Sequence, residues 1–157
     1  MAETNAFKLR VIAPDRIFYE GEAVFLELNT TEGEIGVYKN HVPMTYIIEP
    51  GVLRITESEQ SVKEAALHAG FIQILQEEIT ILAEIVEWPE EIDENRAKEA
   101  QVRAERRLAM KAPNVNLQRA ELALRRALIR QDVKKVSKFL EYSDTNFRCC
   151  EKPTVVW

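Results

Sequence analysis

Acidic and arginine side chains gather around one junction of this 157-residue chain. Glu87 and Asp93 precede Arg96, and Arg126 and Arg130 follow further along. An antiparallel helical hairpin would bring the two later arginines back toward the start of its first helix. Because a guanidinium group matches both carboxylate and phosphate oxygens, the cluster could bind a phosphate ligand or close the hairpin by internal salt bridges. The spacing alone favours the internal network.

Other catalytic chemistry is sparse. The two histidines, His41 and His68, stand beside turn-like Val42-Pro43 and Ala69-Gly70 and are interpreted as structural. The sequence contains no GxSxG, HExxH, glycine-rich phosphate loop or EF-hand loop. We therefore expect no enzyme activity from the chain alone, and no catalytic residue is assigned.

The only cysteines, Cys149 and Cys150, are adjacent. Neighbouring cysteines rarely bridge each other, and two ligands are too few for a closed zinc site. They are interpreted as free thiols in a reducing compartment, and no metal site is predicted.

Charge divides the chain in two. Residues 1–87 carry 6 basic and 15 acidic side chains, whereas residues 88–140 carry 13 basic and 8 acidic ones. Such a split indicates two surfaces with different partners, although an ordinary solvated helix face would also explain the basic half. Nucleic-acid binding is not expected, because the basic half has no aromatic residue between Trp88 and Phe139.

No apolar run approaches the roughly 20 residues that span a bilayer. The first ten residues also lack the basic-then-apolar layout of a signal peptide. A soluble protein facing the cytosol is the expectation.

The first half of the chain is predicted to be β-structure. Phe7, Leu9 and Val11 alternate with polar residues, as in a half-buried strand. Further runs of β-branched, aromatic and aliphatic residues are separated by turn residues such as Glu20-Gly21, and they span 24–28, 33–38, 46–48, 52–55, 62–67, 71–75 and 79–86. Many short strands at near-regular spacing predict a β-sandwich or barrel over residues 1–87.

Two helices are predicted after Trp88-Pro89, where glycine disappears and Ala, Glu, Arg, Lys and Leu dominate. Asp93 is a candidate N-cap for a first helix ending near Lys111, and Asn114 or Asn116 for a second that reaches at least Val136. Ala112-Pro113-Asn114 forms the turn of this hairpin, assigned to residues 88–137. Residues 138–157 are assigned no fold, with Ser143 to Asn146 interpreted as a loop.

Side chains on the predicted helices fall into stripes. Arg96, Arg103 and Arg107 share one face of the first helix. The second helix has two apolar sides, so it needs more than its hairpin mate to cover it. Its second apolar patch is expected to pack on the β-domain or on another protein, and it comprises Leu122, Ile129, Val133 and Val136.

Several segments resemble the epsilon subunit family of bacterial and chloroplast-type F-type ATP synthases. Gly33-Glu34-Ile35-Gly36-Val37 followed by Asn40-His41-Val42-Pro43 is similar to the family's GEIGI…(G/N)H(A/V/I)P segment. Further matches follow in the family's order, and they are Val11 to Asp15 with Tyr19 to Gly21, Gly70-Phe71, Ile92 to Ala97, Arg103 to Leu108 and Arg119 to Ala127. Together they cover the chain from about Phe7 to Val133.

The resemblance implies an α+β chain in two parts: an N-terminal β-sandwich of about ten short strands and a C-terminal antiparallel two-helix hairpin. The β-sandwich would dock on the gamma subunit and the rotor c-ring, in a complex attached to the cytoplasmic face of the cell membrane. The chain would then be a non-catalytic central-stalk subunit that couples ion flow to ATP synthesis. It would touch the membrane only through the complex.

The resemblance also implies a mobile hairpin. Folded down, the hairpin permits turnover; extended, it meets acidic segments of the catalytic alpha and beta subunits and inhibits ATP hydrolysis. Some members bind ATP in the folded-down hairpin as a regulatory ligand, and no cofactor is required. Six positions here match those sites, and they are Glu87, Asp93, Arg96, Arg103, Arg126 and Arg130. An ATP-sensing module whose main output is nucleotide binding is the alternative.

Three segments depart from the family pattern. Tyr38-Lys39 replaces an apolar residue followed by proline, and His68-Ala69 alters a Gly-Gly turn. Pro113 lies in the interhelix turn and would oppose a continuous extended helix by ~3 kcal/mol.

Overall fold

The computed structural model describes residues 5–58, 61–110 and 116–147, with side chains up to residue 137. Its strands are β1 (Phe7–Ile12), β2 (Ile17–Ala23), β3 (Phe25–Thr30), β4 (Gly33–Val37), β5 (Met44–Ile48), β6 (Gly51–Ser58), β7 (Ser61–Ile74) and β8 (Glu78–Glu87). A 3-10 turn over Pro89–Glu91 leads to helices α1 (Glu94–Met110) and α2 (Leu117–Phe147). The expected fold class is confirmed, with eight strands in the described residues where about ten short ones were expected.

β7 joins the parts of the sheet. Its first half pairs with β6, its second half pairs with β5, and β8 runs antiparallel beside residues 66–74. The register shifts between Leu67 and Gly70, where Gly70 has φ +147° and a Cβ would collide with the carbonyl oxygen of Leu82. The sequence predicted two strands here, over 62–67 and 71–75. One bent strand forms instead because glycine allows a close approach to β8 without reversing the chain.

β1 lies between β2 and β8, on the side of β8 opposite to β7. It pairs antiparallel with β2 and parallel with β8. The turn predicted at Glu20-Gly21 is wrong, because both residues lie inside β2, where Gly21 is opposite Leu9. A Cβ on Gly21 would lie 2.9 Å from the Tyr19 hydroxyl oxygen, so this glycine makes room for a side chain rather than a turn.

The core of the β-domain is aliphatic. Side chains from β1, β3, β6, β7 and β8 are fully buried in it, among them Leu9, Leu26, Leu53, Ile72 and Ile81. Each such burial stabilises the fold by roughly 1.5–3 kcal/mol. The strand alternation in β1 is confirmed, since Phe7, Leu9 and Val11 all face this core.

The two helices form a close hairpin. Asp93 caps α1 and Asn116 caps α2 through side-chain oxygens that accept backbone N–H groups, as predicted. Small buried residues line the helix–helix contact, namely Ala97, Ala104, Ala120 and Ala127. Over its described residues, neither helix has the length and apolar content needed to cross a membrane.

α2 is longer than predicted. It continues through Ser143 to Asn146, which the sequence suggested as a loop, and ends at Phe147. No glycine or proline occurs between Leu117 and Phe147, so nothing in this stretch breaks the helix. The predicted turn at Ala112-Pro113-Asn114 and the thiols Cys149 and Cys150 lie outside the described residues.

The hairpin rests on the β-domain through a small apolar contact. Val133 of α2 is buried with Ala66 of β7 and Ile92, and Val52 and Ile129 pack against them. The sequence-predicted second patch of α2 is therefore partly confirmed as a β-domain contact. Leu122 and Val136 of that patch remain exposed.

Candidate functional site

A cleft of about 210 Å³ lies where β8, the 3-10 turn, α1 and α2 meet. Arginines and acids converge on it from all these elements. Its lining is Glu87, Glu91, Ile92, Asp93, Arg96, Ala97, Ala100, Arg103 and Arg130. Five of the six predicted site residues are therefore brought together, and Arg126 is the one left outside.

Asp93 fixes the start of α1. Its Oδ1 accepts the backbone N–H groups of Asn95 at 2.9 Å and Arg96 at 3.2 Å. This cap sets the direction of the helix that carries Arg96 and Arg103, two turns apart on one face. Asp93 therefore positions the cleft's arginines as well as lining it.

Glu87 forms the acidic wall of the cleft. Its Oε2 accepts from Arg130 Nε at 2.5 Å and lies 3.4 Å from His68 Nε2. Hydrogen bonds from His68 and from Arg130 hold the pKa of Glu87 at about 2. The carboxylate is thus ionised at neutral pH and firmly committed to its neighbours.

His68 contacts Glu87 from the interior of the β-domain. It is fully buried in β7, and its Nδ1 has no hydrogen-bond partner in the described structure. Burial lowers the pKa of His68, and the nearby Arg130 and Arg126 charges lower it further. The neutral ring donates Nε2–H to Glu87. The sequence predicts a structural role for His68, and the departure of His68-Ala69 from the family's Gly-Gly turn is the signal in the sequence for this contact.

Two cleft arginines make no close contact with a carboxylate among the described residues. Among the described residues no ion pair involves Arg96, and Arg103 meets only Glu99, at 3.9 Å on the exposed surface of α1. The acids nearby are already occupied, since Glu91 accepts from Arg16 and from the backbone N–H of Trp88. The cleft is therefore suited to an anionic ligand, and Ile92, Ala97 and Ala100 add an apolar wall.

Arg126 lies outside this cleft and pairs with an acid on β8. Its Nη2 is 3.6 Å from Glu84 Oε2, and its Nε is buried without a partner among the described residues. Both roles considered for the arginine and acid cluster, internal salt bridges and ligand binding, therefore apply, but to different residues. Arg126 and Arg130 form internal salt bridges, whereas Arg96 and Arg103 remain open to a ligand.

Further polar contacts tie α2 to the β-domain. Arg125 Nη1 meets Glu49 Oε2 at 3.1 Å, in the turn between β5 and β6. Lys134 Nζ donates to the backbone oxygen of Pro89 at 2.7 Å. Together with Arg126 and Arg130, these two residues form a row of basic side chains along one side of α2 that contacts the β-domain and the 3-10 turn.

A second candidate surface lies on the outer face of the β-domain. Ile47, Phe71 and Leu82 occupy opposing positions on β5, β7 and β8 and form a row across three strands. They are 64%, 44% and 36% exposed. We call these three residues the outer apolar row. Contiguous exposed apolar side chains of this kind mark interaction sites more often than isolated ones do.

Two family models match the chain. The model for the ATP synthase, Delta/Epsilon chain, beta-sandwich domain matches residues 6–89. The model for the ATP synthase, Delta/Epsilon chain, long alpha-helix domain matches residues 90–135. Together they account for most of the chain.

Curated relatives agree with these matches. The chain is 42% identical over 130 residues to the ATP synthase epsilon chain of Clostridium novyi (strain NT), covering 83% of this chain and 97% of that one. It is 43% identical over 138 residues to the ATP synthase epsilon chain of Caldanaerobacter subterraneus subsp. tengcongensis, covering 87% and 98%.

Solved structures show the same fold at low sequence identity. A chain in the Euglena gracilis mitochondrial ATP synthase OSCP/F1/c-ring structure aligns with a TM-score of 0.69 at 20% identity, covering 77% of this chain and 76% of that one. A chain in the Tetrahymena thermophila mitochondrial ATP synthase central stalk/c-ring structure aligns with a TM-score of 0.54 at 11% identity, covering 82% and 96%.

Proposed function

This chain belongs to the epsilon-chain family of ATP synthases, and on that premise we propose that it is a central-stalk rotor subunit with a regulatory hairpin. As a subunit of that complex it is not an enzyme alone. Its role is to couple ion flow through the membrane rotor to ATP synthesis. It works at the cytoplasmic face of the cell membrane and meets the bilayer only through the complex.

The β-domain docks on the gamma subunit and the c-ring. The outer apolar row of Ile47, Phe71 and Leu82 supports this role, because it supplies an exposed apolar strip on a rigid sheet. Strands hold such side chains at fixed spacing, so the strip keeps its shape while the stalk rotates.

The hairpin inhibits ATP hydrolysis when it leaves the β-domain. The observation that carries this proposal is how lightly α2 is docked, with one small apolar contact and several partly exposed ion pairs. The more exposed pairs of Arg125 and Arg126 stabilise by about 0–1 kcal/mol each and the Glu87–Arg130 pair by about 1–3 kcal/mol, so release requires only a few kcal/mol. Residues 103–138 carry 11 basic and 3 acidic side chains, which suits acidic segments of the catalytic alpha and beta subunits.

Truncation of the chain tests the inhibitory role. Ending the chain after Glu91 removes both helices and should raise ATP hydrolysis by the whole complex. Ending it after Ser137 keeps every docking contact described above and should leave hydrolysis near the full-length value. Unchanged hydrolysis in the shorter variant would show that the hairpin is not an inhibitor.

The cleft binds MgATP as a regulatory ligand in the folded-down hairpin. The guanidinium groups of Arg96 and Arg103 support this, because among the described residues they make no ion pair closer than 3.9 Å. Arginine forks bind phosphate oxygens well, while Asp93 holds α1 in place. An ATP-sensing module is the second candidate function, and the same cleft favours it.

Isothermal titration of the purified chain with MgATP tests this site. Heat should be released, and Arg103→Ala should weaken binding about tenfold or more by removing a charge-assisted contact. Arg119→Ala changes an exposed arginine of α2 outside the cleft and serves as the matched control. No heat at millimolar MgATP would reject the nucleotide site. ATP turnover by the purified chain would contradict its non-catalytic role.

A further inference from the structure

One arginine of the nucleotide site just proposed is held away from it. Arg126 belongs to the predicted set, yet the cleft is lined by the other five residues. Its guanidinium group pairs instead with Glu84, at 3.6 Å. The Arg126 side chain is 26% exposed and that of Glu84 is 63% exposed, so the pair lies at the edge of the α2–β8 contact.

Glu84 lies at a register shift between β7 and β8. Gly70 of β7 is opposite Ala83, and the preceding Ala69 is opposite Ile85, so Glu84 has no opposing residue on β7. An extra residue of this kind bends the strand locally. Glu84 meets Arg126 of α2 from the exposed face of a strand whose residues Ala83 and Val86 are buried in the core.

Arg126 and Arg130 are one helical turn apart on α2, so their side chains leave the same face. Arg130 already stands at the cleft, bonded to Glu87. One turn of helix rises about 5.4 Å, a distance that an extended arginine side chain spans. Arg126 can therefore reach the ligand beside Arg130 without movement of the helix, provided that it releases Glu84.

We infer that Glu84 is a competitor built into the site: it holds Arg126 outside the cleft and lowers the affinity of the cleft for a nucleoside triphosphate. This inference rests on the proposed nucleotide site. A phosphate group must displace the Glu84 carboxylate from Arg126 before the guanidinium group can bind it. The buried Nε of Arg126 has no partner in the described structure, so the pair with Glu84 leaves one donor of this guanidinium group unused.

The test compares two neutralised acids by titration with MgATP. Glu84→Gln should tighten binding about two- to fivefold, the range expected from an exposed ion pair. Glu49→Gln removes a second exposed ion pair between the β-domain and α2, the one with Arg125. This change does not free any arginine of the nucleotide site. It should leave the affinity unchanged. Equal gains in both variants would show that a loosened hairpin is responsible, and would overturn the inference.

Combining the change with Arg126→Ala tests the mechanism. If Glu84 acts through Arg126, Glu84→Gln should give no gain in the Arg126→Ala protein. A full two- to fivefold gain in that background would mean a general charge effect and would reject the competitor.

The outcomes separate this inference from the proposed function. Binding by the unmodified chain with no gain in Glu84→Gln rejects the competitor and keeps the nucleotide site. Binding that becomes measurable only in Glu84→Gln supports both. No binding by either protein rejects both.

Discussion

His68 Nε2 lies 3.4 Å from Glu87 Oε2, the same oxygen that accepts from Arg130 Nε. A buried side chain of the β-domain and a side chain of the hairpin thus share one acceptor. The charge on this oxygen connects the interior of β7 to α2. Protonation of either His68 or Glu87 therefore changes how firmly the hairpin is docked.

Acidification should destabilise the protein through His68. Because burial lowers the pKa of His68 below its ordinary value of 6.5, the folded protein binds fewer protons than the unfolded chain. The free energy of unfolding should therefore fall as the pH drops below about 6.5, and continue to fall until the folded-state pKa is reached. Urea denaturation at pH 7.5 and at lower pH measures this loss.

The variant His68→Gln isolates that effect. Glutamine keeps an N–H donor for Glu87 but does not titrate. The stability of the variant should depend less on pH, by at most about 1.4 kcal/mol per pH unit. His41 is present in both proteins, so any contribution from it is absent from the difference between them. Identical pH dependence in the two proteins would show that His68 does not carry this linkage.

Neutralising Glu87 should release α2. Glu87→Gln takes the charged partner from Arg130 and should cost about 1–3 kcal/mol at pH 7. The pKa of Glu87 is about 2 in the folded protein against an ordinary 4.5. Its contribution is therefore present above pH 4.5 and is lost as the pH falls toward 2. The gap between the two proteins should shrink over that window in urea denaturation.

Glu49→Gln is the matched control for this change. It removes the more exposed pair with Arg125, which should cost less than about 1 kcal/mol. Equal losses in the two variants would contradict a special role for Glu87 in docking the hairpin.

Gly70 should be intolerant of any side chain. It has φ +147°, and a Cβ would collide with the backbone of Leu82, so Gly70→Ala should cost about 4 kcal/mol or more. Gly33 has φ +123° but open space around it, so Gly33→Ala should cost only about 1–2 kcal/mol of backbone strain. Thermal denaturation of both variants compares these effects. Similar losses would mean that strain, and not the approach of β8, limits position 70.

Local patterns predicted the parts of this fold that depend on neighbours in the chain. The alternation through Phe7, Leu9 and Val11 and the caps at Asp93 and Asn116 are of this kind. Helix spacing and the family resemblance together named five of the residues that line the cleft.

Features that depend on distant pairing were not predictable in this way. β2 was missed because Glu20-Gly21 looks like a turn until Leu9 is placed opposite Gly21. His68 and Glu84 both lie at register shifts between β7 and β8, which depend on residues far apart in the chain. The pair between Glu84 and Arg126 likewise joins residues that are distant in the sequence.

Replacing an apolar side chain of the outer row should weaken docking on gamma without unfolding the β-domain. Ile47 is 64% exposed, so Ile47→Ser should change the free energy of unfolding by about 0.5 kcal/mol or less. Loss of an apolar contact at the centre of an interface should nevertheless reduce co-purification with a gamma subunit. Val102→Ser changes a 54% exposed apolar residue of α1 and should leave co-purification unchanged. Full recovery of gamma with Ile47→Ser, or equal loss with Val102→Ser, would place the docking surface elsewhere.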